Sequence, residues 1–287
     1  MEFLGSNILS IDQFNRKDID LIFKTADSLF PFASRQKITR VLQGAILSNM
    51  FFEPSTRTRI SFGSAFNMLG GEVRETTEIE ATSLAKGESL YDTSRVLSGY
   101  SDVIVMRHPL AGSVAEFAEA SRVPVINGGD GDNEHPSQAL LDLFTIKKEL
   151  ESHNKEIDTA RIALIGDLKF GRAAHSLCKI LMLYTNISIK LVSPDKLKLP
   201  DFLISEFEKK NISILETQDI KEGIADVDII YMTRIQEERF DNVSEANKYK
   251  GLMSLNQEIY TKNCEPNTVI MHPCLLYTSD AADELLG

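Results

Sequence analysis

Short apolar runs alternate with stretches of helical periodicity along almost the whole chain, and nothing else in the sequence restricts the fold so strongly. Apolar runs of about four to eight residues suit strands buried on both faces, and helices supply the crossovers that parallel strands need. The first half predicts strands near 44–52, 72–76, 101–106 and 123–127, with helices near 17–29, 57–69, 88–99, 113–122 and 136–150. The second half predicts strands near 160–165, 187–192, 212–215, 228–232 and 268–271, with helices near 171–184, 200–210 and 219–225. Between the halves, Glu149 to Asp158 is polar and reads as a linker. The expectation is an α/β fold of two domains, 1–150 and 151–273, each a mainly parallel sheet flanked by helices with an active site in the cleft between them.

With 287 residues, 43% apolar and 25% charged, the chain can fill two modest cores. No apolar run approaches bilayer length, and no basic-then-apolar leader opens the sequence, so neither membrane nor secretion is expected. Cys178, Cys264 and Cys274 are too scattered for a disulfide framework or a metal site, which makes the cytoplasm the expected compartment. A net charge of −11 argues against nucleic acid as a partner. Against that acidic background Arg57, Arg107, Arg172 and Arg234 each fall at or near the end of an apolar run, where α/β sheets hold ligands. Such a pattern suggests a small anionic substrate.

The densest group of donors lies at 55–59. The apolar run ending at Phe52 halts at Pro54, and a helical pattern begins with Ile60, Phe62, Ala65, Phe66 and Leu69. Ser55, Thr56 and Thr58 place hydroxyls at the helix start, and Arg57 and Arg59 add guanidinium groups. A helix N-terminus presents unpaired N–H groups and partial positive charge, so these donors would complete a phosphate site. The simpler alternative is an ordinary N-cap serine with arginines on a solvated face.

Further along, His135-Pro-Ser-Gln138 opens a helix after a glycine-rich turn, where an imidazole tends to stay neutral and can still donate a hydrogen bond. The segment 130–134 superficially looks like a calcium loop, but its twelfth position is Leu141 rather than a glutamate, and no metal is expected. At Gly166-Asp-Leu-Lys-Phe-Gly-Arg172 the second glycine of a dinucleotide turn is replaced by Leu168, so no nucleotide cofactor is expected either.

The 51–61 stretch resembles the carbamoyl phosphate motif of the aspartate/ornithine carbamoyltransferase family. The resemblance continues through Ser83-Leu-Ala-Lys-Gly-Glu88, Met106-Arg-His-Pro109, His135-Pro-Ser-Gln138, Gly166 to Arg172 and Tyr231-Met-Thr-Arg-Ile-Gln236, reaching Pro273. It implies that Ser55, Thr56, Arg57, Thr58, Ser83, Lys86, Arg107, His135, Gln138 and Pro273 bind carbamoyl phosphate. Arg57, Thr58, Lys86, Arg107 and His135 would act in catalysis, and Lys86, Arg172, Arg234 and Gln236 would bind the amino acid. Paired arginines suit the dicarboxylate L-aspartate better than the cationic side chain of ornithine. The implied reaction forms N-carbamoyl-L-aspartate and phosphate, a step of pyrimidine biosynthesis. Also implied are a homotrimer in which Ser83 and Lys86 reach a neighbouring subunit's site, and a loop over Arg234 to Lys250 that closes on aspartate. Regulatory chains are compatible with the resemblance, and no cofactor is implied.

The resemblance stops after Pro273. Residues 274–287 read as a non-native tail, closer to translated adapter read-through than to protein. Two other functions fit fewer of these residues: transfer to a different amino acid, and a non-catalytic carbamoyltransferase-like binding protein.

Overall fold

The computed structural model describes residues 1–77, 83–236, 239–240, 242, 248–249 and 251–273. Residues 274–287 and most of the expected mobile loop lie outside that set. The chain folds as two compact units, Met1–Ser137 and Gln138–Gly287.

The first unit contains α1 (Arg16–Ala33), β1 (Ile46–Phe51), α2 (Thr56–Met68), β2 (Glu72–Thr76), α3 (Leu90–Leu97), β3 (Val103–His108), α4 (Ser113–Ala120) and β4 (Val125–Asp130). Its strands form a parallel sheet in the order β2-β1-β3-β4. Leu47 to Phe51 are buried throughout, as expected of a central strand covered on both faces, whereas edge strand β2 stays largely exposed. Met50, Ile104, Met106, Val114, Phe117 and Val125 pack into one core cluster.

Helix α5 (Pro136–Ser152) begins at the boundary between the units, with Pro136 at its first position, where a missing N–H costs nothing. The second unit continues with β5 (Arg161–Ile165), α6 (Arg172–Leu181), β6 (Ser188–Val192), α7 (Asp201–Lys209), β7 (Ser213–Thr217), α8 (Ile220–Ile224), β8 (Ile229–Met232), α9 (Gln257–Asn263) and β9 (Val269–Met271). Its parallel order is β7-β6-β5-β8-β9.

Both sheets change direction once. In the first, the chain steps from β1 out to β2 and then returns to β3 on the other side of β1. In the second, it runs from β5 through β6 to β7 and restarts at β8 beside β5. Loops at the carboxyl ends of the strands flanking such a reversal splay apart and leave a crevice for ligands. The loops after β1, β3, β5 and β8 carry Arg57, Arg107, Arg172 and Arg234 respectively or lie beside them.

Two differences from the sequence reading have local causes. Helix α1 runs past Pro31 to Ala33, because a proline in the last turn removes only one intrahelical donor. Helix α9 is not anticipated, since it is short and only half-buries Ile259 and Tyr260 against the core; its other visible signal is Asn256, whose side chain caps Ile259 N–H.

Candidate active site

On the first unit, Ser55 occupies the N-cap of α2 with extended backbone (φ −160°, ψ 97°), yet its hydroxyl makes no capping bond. Among the described residues the side chains of Thr56, Arg57 and Thr58 make no hydrogen bond or ion pair either, and Arg57 is exposed. Arg59 differs: its Nη1 donates to Glu75 Oε2 at 2.7 Å on β2, and its carbonyl accepts from Asn49 Nδ2 at 3.2 Å. Of the two guanidinium groups in this stretch, Arg59 is committed to the fold. Helix starts without such commitments leave N–H groups and positive potential for an external anion.

Arg107 comes from the adjacent strand, paired opposite Phe51, and its carbonyl accepts from Phe52 N at 2.9 Å. Its Nε donates to Glu53 Oε2 at 2.8 Å and its Nη1 reaches Gly128 O at 3.4 Å. Side-chain exposures of 13% and 21% keep the Glu53 pair partly out of water, so the carboxylate fixes the plane of the guanidinium. In sequence Glu53 is one acid among many and carries no signal of this role.

Asp130, at the end of β4, organises the next loops. Its carboxylate accepts from Asn127 Nδ2 (2.9 Å), Gly112 N (2.9 Å), Asn133 Nδ2 (3.0 Å) and Glu134 N (3.2 Å). Gly131 follows at φ +55°, and a β-carbon there would lie 2.7 Å from Ala111 N. Asp130 is thus a loop organiser, ligated by N–H groups. Glu134 holds the chain's start, accepting Ser10 Oγ at 2.7 Å and Ile11 N at 2.8 Å. His135 follows, buried directly before α5, with Nδ1 3.3 Å from Ser137 Oγ. His108 is a different histidine: burial lowers its pKa, and its Nδ1 accepts from Leu110 N at 3.1 Å. Lys86 is exposed on a 3-10 turn, Ser83–Lys86, while the side chain of Ser83 lies outside what the structure describes.

On the second unit, Gln138 donates its Nε2 to Asp142 Oδ1 at 2.9 Å, and Tyr231 donates its hydroxyl to Asp142 Oδ2 at 2.6 Å. Burial raises the Asp142 pKa to about 6 although both hydrogen bonds oppose it.

Arg172 and Arg234 follow neighbouring strands, β5 and β8, and Asp167 ties their loops together. Its Oδ1 accepts Phe170 N at 3.0 Å and its Oδ2 accepts Gln236 N at 3.1 Å. Burial pushes Asp167 upward in pKa, opposed by those backbone bonds. Gly166 lets the loops close: it has φ +116°, and a β-carbon would meet Thr233 O at 2.3 Å. The close approach that a pyrophosphate would need is instead made by the chain's own backbone. Arg172 opens α6 and is half-buried; Arg234 is exposed, its Nη1 3.2 Å from Ile235 O. Gln236 Nε2 donates to Phe170 O at 2.9 Å. Pro273, half-buried just past β9, is the last described residue.

Ser55 to Thr58, Arg107 and His135 therefore share the first unit, and Gln138, Arg172, Arg234, Gln236 and Pro273 the second. Sequence reasoning gives no role to Glu53, Asp142, Asp167 and Tyr231: three of them lie inside the motifs quoted above, which is a signal, but a carboxylate or phenol that orients another side chain does not reveal its partner in one chain.

The model for "Aspartate/ornithine carbamoyltransferase, carbamoyl-P binding domain" matches residues 6–148, and that for "Aspartate/ornithine carbamoyltransferase, Asp/Orn binding domain" matches 158–277. The aspartate carbamoyltransferase catalytic subunit of Cellvibrio japonicus is 62% identical over 285 residues, covering 99% of this chain and 84% of that one. The Methanosarcina barkeri catalytic subunit is 47% identical over 95% of this chain and 86% of its own. Among solved structures, the M. jannaschii aspartate transcarbamoylase catalytic subunit superimposes with TM-score 0.85 at 41% identity, covering 97% of this chain and 90% of that one. Trypanosoma cruzi aspartate transcarbamoylase in complex with N-(phosphonacetyl)-L-aspartic acid gives 0.87 at 37% identity, covering 97% and 88%. With both domain models matched in order and relatives this similar along nearly its full length, the chain belongs to the aspartate/ornithine carbamoyltransferase family.

Proposed function

We propose that this chain is an enzyme that transfers the carbamoyl group of carbamoyl phosphate to the α-amine of L-aspartate, yielding N-carbamoyl-L-aspartate and phosphate for pyrimidine biosynthesis. The observation that carries the phosphate half is the uncommitted start of α2, where Ser55, Thr56, Arg57 and Thr58 spend no donor on the protein among the described residues. These groups hold the phosphate with Arg107, whose plane is preset by Glu53. Arg107, Thr58 and His135 donate to the carbonyl oxygen as negative charge builds on it.

In the reaction, the neutral aspartate nitrogen forms a bond to the carbonyl carbon, giving a tetrahedral oxyanion. That carbon's bond to the phosphate oxygen then breaks, phosphate leaves with the bonding pair, and the proton released by the nitrogen passes to the departing phosphate oxygen. No protein atom becomes covalently attached, so the rate gain comes from orientation and preset donors. Gln138 accepts from the carbamoyl NH₂, and the Pro273 carbonyl contacts the same ligand. Arg172 and Arg234 hold the two carboxylates. One N–H of the Gln236 amide is held by Phe170 O, which orients the group, and its side-chain oxygen accepts from the incoming amine.

The assembly is a cytoplasmic homotrimer with shared sites, compatible with added regulatory chains. An exposed Lys86 on a 3-10 turn suits a residue that, with Ser83, serves a neighbouring subunit. By function, residues 1–150 are the carbamoyl phosphate domain and 151–273 the aspartate domain, in line with the family-model matches over 6–148 and 158–277; helix α5, which packs with the second compact unit, then belongs by function to the first domain. Offering aspartate and ornithine to the protein with limiting carbamoyl phosphate tests the reading: only carbamoyl aspartate should form. Carbamoylation of ornithine at a comparable rate would overturn the substrate assignment.

A further inference from the structure

Asp142 is 1% exposed, one helical turn beyond Gln138 on α5, and both of its carboxylate oxygens are occupied from within the second unit. Gln138 Nε2 supplies one hydrogen bond (2.9 Å) and the fully buried Tyr231 hydroxyl the other (2.6 Å). Burying a carboxylate is costly, and apolar residues of matching shape at both 142 and 231 would avoid that cost, because replacing both partners of a buried polar contact is often near neutral for a fold. This carboxylate needs a reason beyond packing.

Its chemistry supplies one. A side-chain amide has a donor end and an acceptor end of nearly the same shape, and either can face a ligand. An ionised carboxylate only accepts, so it selects between them. With Asp142 against Nε2, turning the amide over would set the oxygen of Gln138 against a carboxylate oxygen at hydrogen-bond distance, with no proton between them. The tyrosine completes the selection by occupying the second carboxylate oxygen from β8, which keeps the group from rotating away. A short charge-assisted bond from a phenol to a carboxylate is among the stronger ones available inside a protein.

We infer that Asp142, backed by Tyr231, is a positioning residue that locks Gln138 with its carbonyl oxygen outward, so that the site accepts from a carbamoyl NH₂ and rejects an acetyl-type methyl or a second acceptor. The inference rests on the proposed role of Gln138 and adds the source of its selectivity. Because Asp142 touches no substrate, its influence must pass wholly through the amide of residue 138. Asparagine at 142 presents a donor as well as an acceptor, which lets the Gln138 amide adopt both orientations. Phenylalanine at 231 leaves the Gln138 contact in place and releases only the restraint behind it.

The test is calorimetric titration of the protein with carbamoyl phosphate and, separately, with inorganic phosphate, which lacks the NH₂. Four forms are compared: the parent, Asp142→Asn, Gln138→Ala, and both together. Asp142→Asn should weaken carbamoyl phosphate by about tenfold, the loss of one hydrogen bond to a charged group, while inorganic phosphate changes less than about twofold. In the Gln138→Ala background the same substitution should have no further effect on either ligand. Tyr231→Phe should give a smaller loss of carbamoyl phosphate affinity with the same indifference to phosphate, and it keeps the test available should the asparagine variant misfold.

Equal weakening of both ligands would overturn the inference, since that marks a general distortion. So would an Asp142→Asn effect that persists undiminished without Gln138. If Gln138→Ala alone leaves carbamoyl phosphate affinity unchanged, the role given to Gln138 fails, and the positioning role fails with it; that result is read from a variant in which Asp142 is intact.

Discussion

Replacing Arg57 with alanine separates folding from chemistry more sharply than any other change. The side chain is exposed and, among the described residues, has no hydrogen-bond or ion-pair partner to lose. Surface changes of that kind stay within about 0.5 kcal/mol. Its position adds a small gain, because a cation in the first turn of a helix opposes the macrodipole by about 0.3–1 kcal/mol. The net expectation is a stability change near zero or slightly favourable, which keeps the thermal midpoint within about 2 °C. Turnover should behave differently. Loss of one donor aimed at developing charge costs ~10²–10³ in rate, about 2.7–4 kcal/mol of transition-state stabilisation. Initial rates of carbamoyl aspartate formation at saturating aspartate, beside thermal unfolding of the same preparation, read both quantities. Arg59→Ala is the built-in control: it loses the half-exposed Glu75 pair, worth about 0.2–1 kcal/mol, and should keep near-parental turnover. The reasoning is refuted if Arg57→Ala keeps turnover within about threefold, or if its midpoint drops by more than about 5 °C.

Three further outcomes are expected. Arg234→Ala should raise the KM for aspartate by about tenfold or more while calorimetry finds carbamoyl phosphate affinity unchanged, and weakening of both would place Arg234 wrongly. Mixing inactive Arg57→Ala and Lys86→Ala proteins, then allowing subunit exchange, should restore activity, because some hybrid sites receive both parental residues; no recovery would argue that each subunit works alone. At Asp228, burial pushes the carboxyl upward, but bonds from Arg161 and Lys155 outweigh it and bring the pKa down to about 2. The resulting stability is present above the ordinary carboxylate range and is lost as pH falls from about 4 through about 2. Asp228→Asn should flatten that acid limb and cost about 1–2 kcal/mol at neutral pH, the lower part of the range because Lys155 and Arg161 are 42% and 41% exposed.

Apolar periodicity reveals whatever is buried in a regular way. The strands at 46–51 and 161–165 stand out because both faces are covered, and each lies within two residues of the bounds expected from the apolar run. Helix α9 escapes because it fully buries no residue and only Ile259 and Tyr260 touch the core, too few to set up a period. At the candidate site, Arg57 and Arg107 stand out in the sequence, since arginine at the end of an apolar run in an acidic chain is conspicuous. What sets their geometry cannot. Glu53 reaches across 54 positions to Arg107, and Tyr231 reaches 89 positions back to Asp142. Separations of that size are created by the fold, and no local spacing announces them. The same limit explains why Arg57 and Arg59 look equivalent in sequence, although β2 brings Glu75 to only one of them.

The most direct single measurement is a crystal structure of this protein with N-(phosphonacetyl)-L-aspartic acid, which joins both halves of the reacting pair in one molecule. The phosphonate should lie within hydrogen-bond distance of the Thr56 to Thr58 backbone N–H groups and of Arg57, with the two carboxylates on Arg172 and Arg234. A phosphonate bound away from the start of α2, with those hydroxyls and Arg57 facing only water, would contradict the account.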